Sequence, residues 1–140
     1  MIRRMSHVCF YVLDQERAKL AFDHITFVKS WDRPQQKKYA SIVHAMPALL
    51  RSAGLSQGLH FVRSRKNEHQ QLFLDHLAEQ LKRVDAGIDG REKLLAEVRG
   101  AELTAYLRLT HEALACVVWY RRFVQGELGI DAGEADDDAE

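Results

Sequence analysis

His69 and His76 lie seven residues apart with Asp75 and Glu79 beside them. On a helix that spacing stacks both imidazoles on one flank. His76-x-x-Glu79 puts an imidazole and a carboxylate one turn apart, where the two can share a metal ion. A di-metal bundle needs Glu-x-x-His on two helices, and this sequence does not supply the pair. The plainer reading of the same residues, and the one expected, is a solvated face with two edge histidines. Arg63 and His69 form a second pair, an arginine to steady a phosphate and a histidine to move a proton at neutral pH. That pair straddles an expected helix break at Asn67. Gly54-x3-Gly58 lacks the Lys-Ser/Thr of a phosphate loop, and neither a dinucleotide fingerprint nor a nucleophile with its base is present. Cys116 falls in an apolar seam and reads as packing. The expectation is a chain with no catalytic residue, no metal and no cofactor.

The basic groups carry more information. Arg63, Arg65 and Lys66 fall within about one turn at an expected helix C-terminus, where positive charge also complements the helix dipole. Lys37 and Lys38 sit near a helix start, where the dipole disfavours them and solvation is the plainer reading. Trp119 shares a helix side with Arg108 and Arg122, and borders a buried seam through Phe123. An exposed Trp beside arginines stacks bases and pairs phosphates, or anchors a protein interface.

These residues need helices to position them. Few β-branched runs and apolar residues recurring at 3.6 spacing predict an all-α, single-domain bundle of about five to six helices. A first helix is expected from Asp14, as N-cap, to Trp31, closed by Pro34. It carries two apolar stripes: Ala18, Ala21, Phe22, Ile25 and Val28 on one side, and Leu20, Phe27 and Trp31 on the other. The second stripe makes this helix central or places it against another subunit. A second helix starts near Gln35 and turns Tyr39, Ile42, Val43 and Met46 inward, with a kink or fresh start at Pro47. It ends at Gly54, read as a C′ glycine. Ser56 caps the next helix, which presents Leu59, Phe61 and Val62 and finishes in Arg63, Arg65 and Lys66. Glu68–Val84 follows, buried through Phe73, Leu77, Leu81 and Val84. After a turn over Ala86–Gly90 comes a short helix, Arg91–Val98. The longest helix is Ala101–Leu128. One of its seams holds Leu103, Leu107, Thr110, Leu114, Val117 and Val124, and the adjacent one holds Tyr106, Leu109, Ala113, Cys116, Tyr120 and Phe123.

With 140 residues the chain is one domain's worth of sequence. Twenty Lys and Arg balance twenty Asp and Glu, yet six of the acids fall in the last ten residues. Residues 1–130 therefore read as a basic helical domain, and 131–140 as an acidic tail expected to be disordered. No apolar run approaches the ~18 residues of a membrane span. Val8–Leu13 is shorter than a secretory core and runs into Asp14, Glu16 and Arg17. Two cysteines, Cys9 and Cys116, are compatible with a reducing compartment. A cytoplasmic protein with no membrane partner is expected.

Several blocks together resemble a known family. They are Gln15-Glu-Arg-Ala-Lys-Leu-Ala-Phe22, Met46-Pro-Ala-Leu-Leu-Arg-Ser-Ala-Gly-Leu55 followed by Gln57-Gly-Leu-His-Phe61, and Leu72-Phe-Leu-Asp-His-Leu77. The last is Tyr106-x-Arg108-x-Thr110-x-Glu112-Ala-Leu114 running into Trp119-Tyr-Arg-Arg-Phe123. In order and spacing they resemble the small α-helical subunit of type III-B CRISPR effector (Cmr) complexes, over roughly residues 15–123. Many relatives read Leu-Pro-Ala-Leu and then Asn-Gly-Leu in the second block, where this sequence has Met46 and Ala53.

The resemblance implies a non-catalytic helical bundle that stacks along the effector in a minor filament beside guide-bearing backbone subunits. The implied partners are other Cmr effector subunits, copies of itself, and guide RNA and target RNA. Arg108, Arg121 and Arg122 stand at matching positions as candidates for RNA or subunit contact. Lys37, Lys38, Arg63, Arg65 and Lys66 join them as expected RNA-binding residues. Leu20, Phe27, Trp31 and Trp119 are the expected subunit interface. Two alternatives remain open. The Arg63-x5-His69 spacing resembles small helical ribonucleases of the higher-eukaryote and prokaryote nucleotide-binding class, and a protein-only helical adaptor would need no RNA.

Overall fold

A computed structural model describes residues 2–137, and the side chains of residues 12–135. Among the described residues it is all-helical: α1 Ile2–Lys29, α2 Arg33–Ala53, α3 Leu55–Ser64, α4 Glu68–Leu81, α5 Arg91–Gly100, α6 Leu103–Glu127 and α7 Ala132–Asp137. Helix α6 packs against α1, α2, α3 and α4, while α4 also meets α1, α2, α3 and α5. The core lies between these helices and is filled by Ile25, Tyr39, Ile42, Met46, Leu59, Phe73, Leu77 and Tyr120, among others. Edge-to-face contacts join Tyr39 to Phe73 (5.7 Å) and Phe73 to Tyr120 (5.5 Å), which ties α2, α4 and α6 at one aromatic centre.

Local chemistry explains most boundaries. Asp32 takes extended backbone and Pro34 sits in the first turn of α2, so this proline opens a helix instead of closing the previous one. Asn67 accepts hydrogen bonds from the N–H groups of His69 and Gln70, which starts α4. The break between α2 and α3 falls on Gly54, at φ +86° and ψ 169°, a region essentially reserved for glycine. A Cβ there would sit 3.3 Å from the Tyr106 hydroxyl, which accepts the Ser56 N–H at 3.0 Å. Ser56 is therefore held by Tyr106, and Gly54 occupies the cap position expected for Ser56.

Other expectations are corrected. Helix α1 begins at Ile2, so Asp14 is an interior residue and not its N-cap. Helix α2 continues through Pro47 to Ala53. Helix α4 stops at Leu81, three residues before Val84. Leu103 and Leu107 are 73% and 57% exposed, because α6 turns the adjacent seam of Leu109, Ala113, Cys116 and Tyr120 inward against α1 and α4. Phe61 is exposed as well. The stretch beyond Ile130, expected to be disordered, forms α7 through Asp137, with Ala135 buried; residues 138–140 of the acidic tail lie outside the described residues.

Candidate interaction surfaces

Beneath the surface, polar side chains fix the relative placement of the helices. His24 of α1 and His76 of α4 stack face to face, with ring centroids 3.9 Å apart and planes within 6°. Each ring also meets a tyrosine: His76 Nδ1 lies 2.8 Å from the Tyr39 hydroxyl, and His24 Nδ1 lies 2.7 Å from the Tyr120 hydroxyl. Gln80 Nε2 donates to the Tyr120 oxygen at 3.1 Å and also to the Arg17 carbonyl. One proton order satisfies the whole chain: Gln80 donates to Tyr120, Tyr120 to His24 Nδ1, and His24 Nε2–H to Glu79 at 2.7 Å. That order requires a neutral His24. Burial lowers the His24 pKa against the opposing pull of Glu79. Burial, with the neighbouring His24 ring, lowers His76 to about 3.

Arg17 and Glu112 form a buried ion pair between α1 and α6, each side chain 8% exposed. The guanidinium is bidentate, with Nη2 at 2.6 Å and Nε at 3.0 Å from the carboxylate, and Asp14 adds a third contact at 3.3 Å. The sequence reading missed this network. It placed His76 on a solvated face, whereas the residue is 6% exposed. Glu79 bonds His24, while His69 packs on Trp31 (4.8 Å between centroids). The residues considered for a metal thus point to separate partners. Burial raises the Cys116 thiol to about 12, in keeping with a packing role.

Bordering this network, an arginine-lined strip runs along the outer face of α6. A groove of about 490 Å³ is lined by Asp14, Arg17, Arg51, His111, Trp119 and Arg122 with small apolar neighbours. It shares His111 with a second groove at Leu107 and Arg108, and shares Arg51, Val118 and Arg122 with a third that includes Arg121. Thr104, Arg108, His111, Ala115, Val118 and Arg122 follow the 3.6-residue repeat along one face of α6, Arg121 borders that face, and Arg51 joins it from α2. Trp119 stands at its centre, half-buried. Its Nε1–H donates to Asp14 at 3.1 Å, its ring stacks on Phe123, and the Arg122 guanidinium lies over it at 5.8 Å. Arg51, Arg108 and Arg121 have no carboxylate at ion-pair distance among the described residues.

The other expected residues sit elsewhere. Arg63 pairs with Glu92 at 2.9 Å and donates to Gln71, so Arg63 and His69 are committed to different neighbours. Arg65 donates to Gln70 and lies over the Phe61 ring. Lys66 is exposed at the α3–α4 turn, with φ 55°. Lys37 reaches toward Glu134 at 3.8 Å, and Lys38 is exposed. On α1, Phe27 is 58% exposed, Leu20 is half-buried, and Trp31 packs onto the core edge against Tyr39. Phe22, also exposed, packs edge-on against Phe123 and leads a shallow groove with Ala18 and Lys19.

Fold and surface thus define a small all-α protein whose accessible features are a basic, tryptophan-centred strip on one helix and exposed aromatics on another. None of its helices, among the described residues, is long and apolar enough to cross a membrane. The family model described as CRISPR-associated protein (Cas_Cmr5) matches residues 13–127. Over 88 residues the chain is 41% identical to the "CRISPR system Cmr subunit Cmr5" of Thermus thermophilus, covering 63% of this chain and 73% of that protein. A crystal structure of a CRISPR-associated Cmr5 family protein, also from Thermus thermophilus, superposes with a TM-score of 0.71. The two are 33% identical, and the match covers 81% of this chain and 96% of that one. The chain belongs to the Cmr5 family, the small subunit of type III-B Cmr complexes.

Proposed function

We propose that this protein is a non-catalytic, cytoplasmic subunit of a CRISPR ribonucleoprotein effector, where it touches RNA and stacks with copies of itself in a minor filament. The observation that carries the RNA contact is the α6 strip. Arg108 and Arg122 lie on the Trp119 side of α6, Arg51 and Arg121 line the adjoining groove, and Arg51, Arg108 and Arg121 have no carboxylate at ion-pair distance among the described residues. Such a strip pairs phosphates irrespective of sequence, which suits a complex whose specificity comes from base pairing with a guide. The exposed Phe27 of α1 and the Val118–Trp119 patch of α6 offer two separate apolar patches, as head-to-tail stacking requires. Lys37, Lys38, Arg63, Arg65 and Lys66 are secondary candidates, because several are already bonded within the chain.

The test is charge reversal of the strip, Arg108→Glu, Arg121→Glu and Arg122→Glu together, in the reconstituted effector. Binding of guide-complementary RNA is followed across a salt series. Each lost phosphate contact removes about 0.7 to 0.9 from the slope of log affinity against log salt. The expected result is a slope shallower by about two contacts and affinity lower by about tenfold or more. Unchanged affinity and slope in an intact complex would remove the strip from the RNA path.

A further inference from the structure

The segment after residue 127, the last that the family model matches, folds back onto the start of α2. Arg33 fastens it: Nη1 donates to the Leu128 carbonyl at 2.6 Å and Nη2 to the Gly129 carbonyl at 3.2 Å. His44 Nε2 lies 2.9 Å from the Ile130 carbonyl, and Ile130 and Ala135 are buried. These contacts hold the backbone of the segment in place. Separately from them, the Glu134 carboxylate reaches Arg33 Nη2 at 2.9 Å and Lys37 Nζ at 3.8 Å. The N-cap of α2 is Asp32, whose side chain makes no capping hydrogen bond, and the first turn within the helix holds no acid, so the dipole and the Arg33–Lys37 pair favour an anion at the same place. Arg33 and Glu134 are both half-exposed, and an exposed pair of this kind is weak enough to be displaced. In sequence, Glu134 is accompanied by further acids at Asp131, Asp136, Asp137, Asp138 and Glu140.

We propose that the acidic C-terminal segment is an internal competitor for RNA phosphates, its Glu134 carboxylate occupying the Arg33–Lys37 patch until a nucleic-acid backbone displaces it. This rests on the reading that the protein contacts RNA. The competitor weakens binding to short or adventitious RNA, while a long target held along the assembled complex outcompetes a single carboxylate. Glu134 can be neutralised without releasing the segment, because its anchors are backbone carbonyls and buried apolar side chains.

The test uses the full-length chain and a fluorescent 20-mer of oligouridine, with anisotropy read across a salt series. Five proteins are compared: the unaltered chain, Glu134→Gln, Glu134→Gln with Lys37→Ala, the strip-reversed Arg108→Glu, Arg121→Glu, Arg122→Glu parent, and Glu134→Gln on that background. One recovered contact to a single strand steepens the salt slope by about 0.7 and raises affinity about fivefold at 0.1 M salt. E134Q is expected to show that gain, to lose it when Lys37 is also replaced, and to show it again over the strip-reversed parent. No gain from E134Q in either background overturns the proposal, as does a gain that survives Lys37→Ala. Failure of the RNA reading looks different: strip reversal then leaves affinity unchanged whatever E134Q does. Circular dichroism melts of the five proteins confirm that the comparison is between folded chains.

Discussion

Acidification should strike the fold at the His24–His76 stack before it reaches the carboxylates. Both imidazoles are buried, and His76 is held at about 3 by desolvation and by the facing His24 ring. Glu79 bonds His24 Nε2, the Asp23 carboxylate also acts on His24, and the Tyr39 and Tyr120 hydroxyls occupy the two Nδ1 positions. In the unfolded chain His76 titrates near 6.5. A folded-state pKa below the unfolded one means that the unfolded state binds the extra proton. The His76 contribution is therefore complete above about pH 6.5 and is lost progressively as pH falls towards 3. At pH 5 the unfolded imidazole is protonated and the folded one is not, a difference of about 1.5 pH units, or about 2 kcal/mol at 1.36 kcal/mol per unit. His24, lowered in the same direction, adds to the loss. The assay is urea unfolding at pH 7.5 and pH 5.0 for the unaltered chain and for His76→Gln, whose amide still offers Tyr39 a partner. The variant should be less stable at pH 7.5, yet its loss on going to pH 5.0 should be smaller by about 2 kcal/mol. Equal losses in the two proteins would show that His76 is not the buried neutral group described here.

Three further outcomes follow from the packing. Glu112→Ala leaves the buried Arg17 charge without its bidentate partner and should cost about 3 kcal/mol in urea unfolding. The double change Arg17→Met, Glu112→Leu should recover most of that loss, and a double variant as unstable as the single one would argue against the desolvation reasoning. Gly54→Ala forces a side chain into a glycine-only backbone region beside Tyr106 and should cost about 2 kcal/mol, against about 1 kcal/mol for Tyr106→Phe. A neutral G54A would contradict the backbone assignment. Trp119→Ala removes a half-buried ring and should cost about 2 kcal/mol, half the loss of a fully buried aromatic. The same variant should sharply reduce co-purification with effector subunits, and a collapse in unfolding midpoint with assembly retained would make Trp119 a core residue only.

Much of this fold was legible because apolar periodicity dominates it. Tyr39, Ile42, Val43, Met46, Phe73, Leu77 and Cys116 were placed inward from spacing alone, and they are buried. The errors fall where polarity masks the period. His76 lies three residues from Phe73 and four from Gln80, His24 three from Ala21, and Glu112 three from Leu109. All are core spacings, but a charged or titratable residue reads as surface until its buried partner, on a distant helix, is known. Leu103 and Leu107 fail for the opposite reason: two apolar seams compete on α6, and only the tertiary contacts of Tyr120 and Phe73 choose between them. The α6 strip was half visible, with Arg108, Trp119 and Arg122 found on one helix side. Arg51 joins it from α2 by packing that no local pattern encodes. The clamp of Arg33 on the acidic segment was invisible, since it joins residues 95 to 101 positions apart in sequence.

The central claim is that this Cmr5-family chain works inside an RNA-guided effector. It is tested most directly by purifying the tagged protein from its native host, with mass spectrometry of its partners and sequencing of copurified RNA. The account predicts several Cmr subunits together with guide RNAs that share a repeat-derived end. A lone protein without guide RNA, recovered from cells shown to express the other subunits, would contradict it.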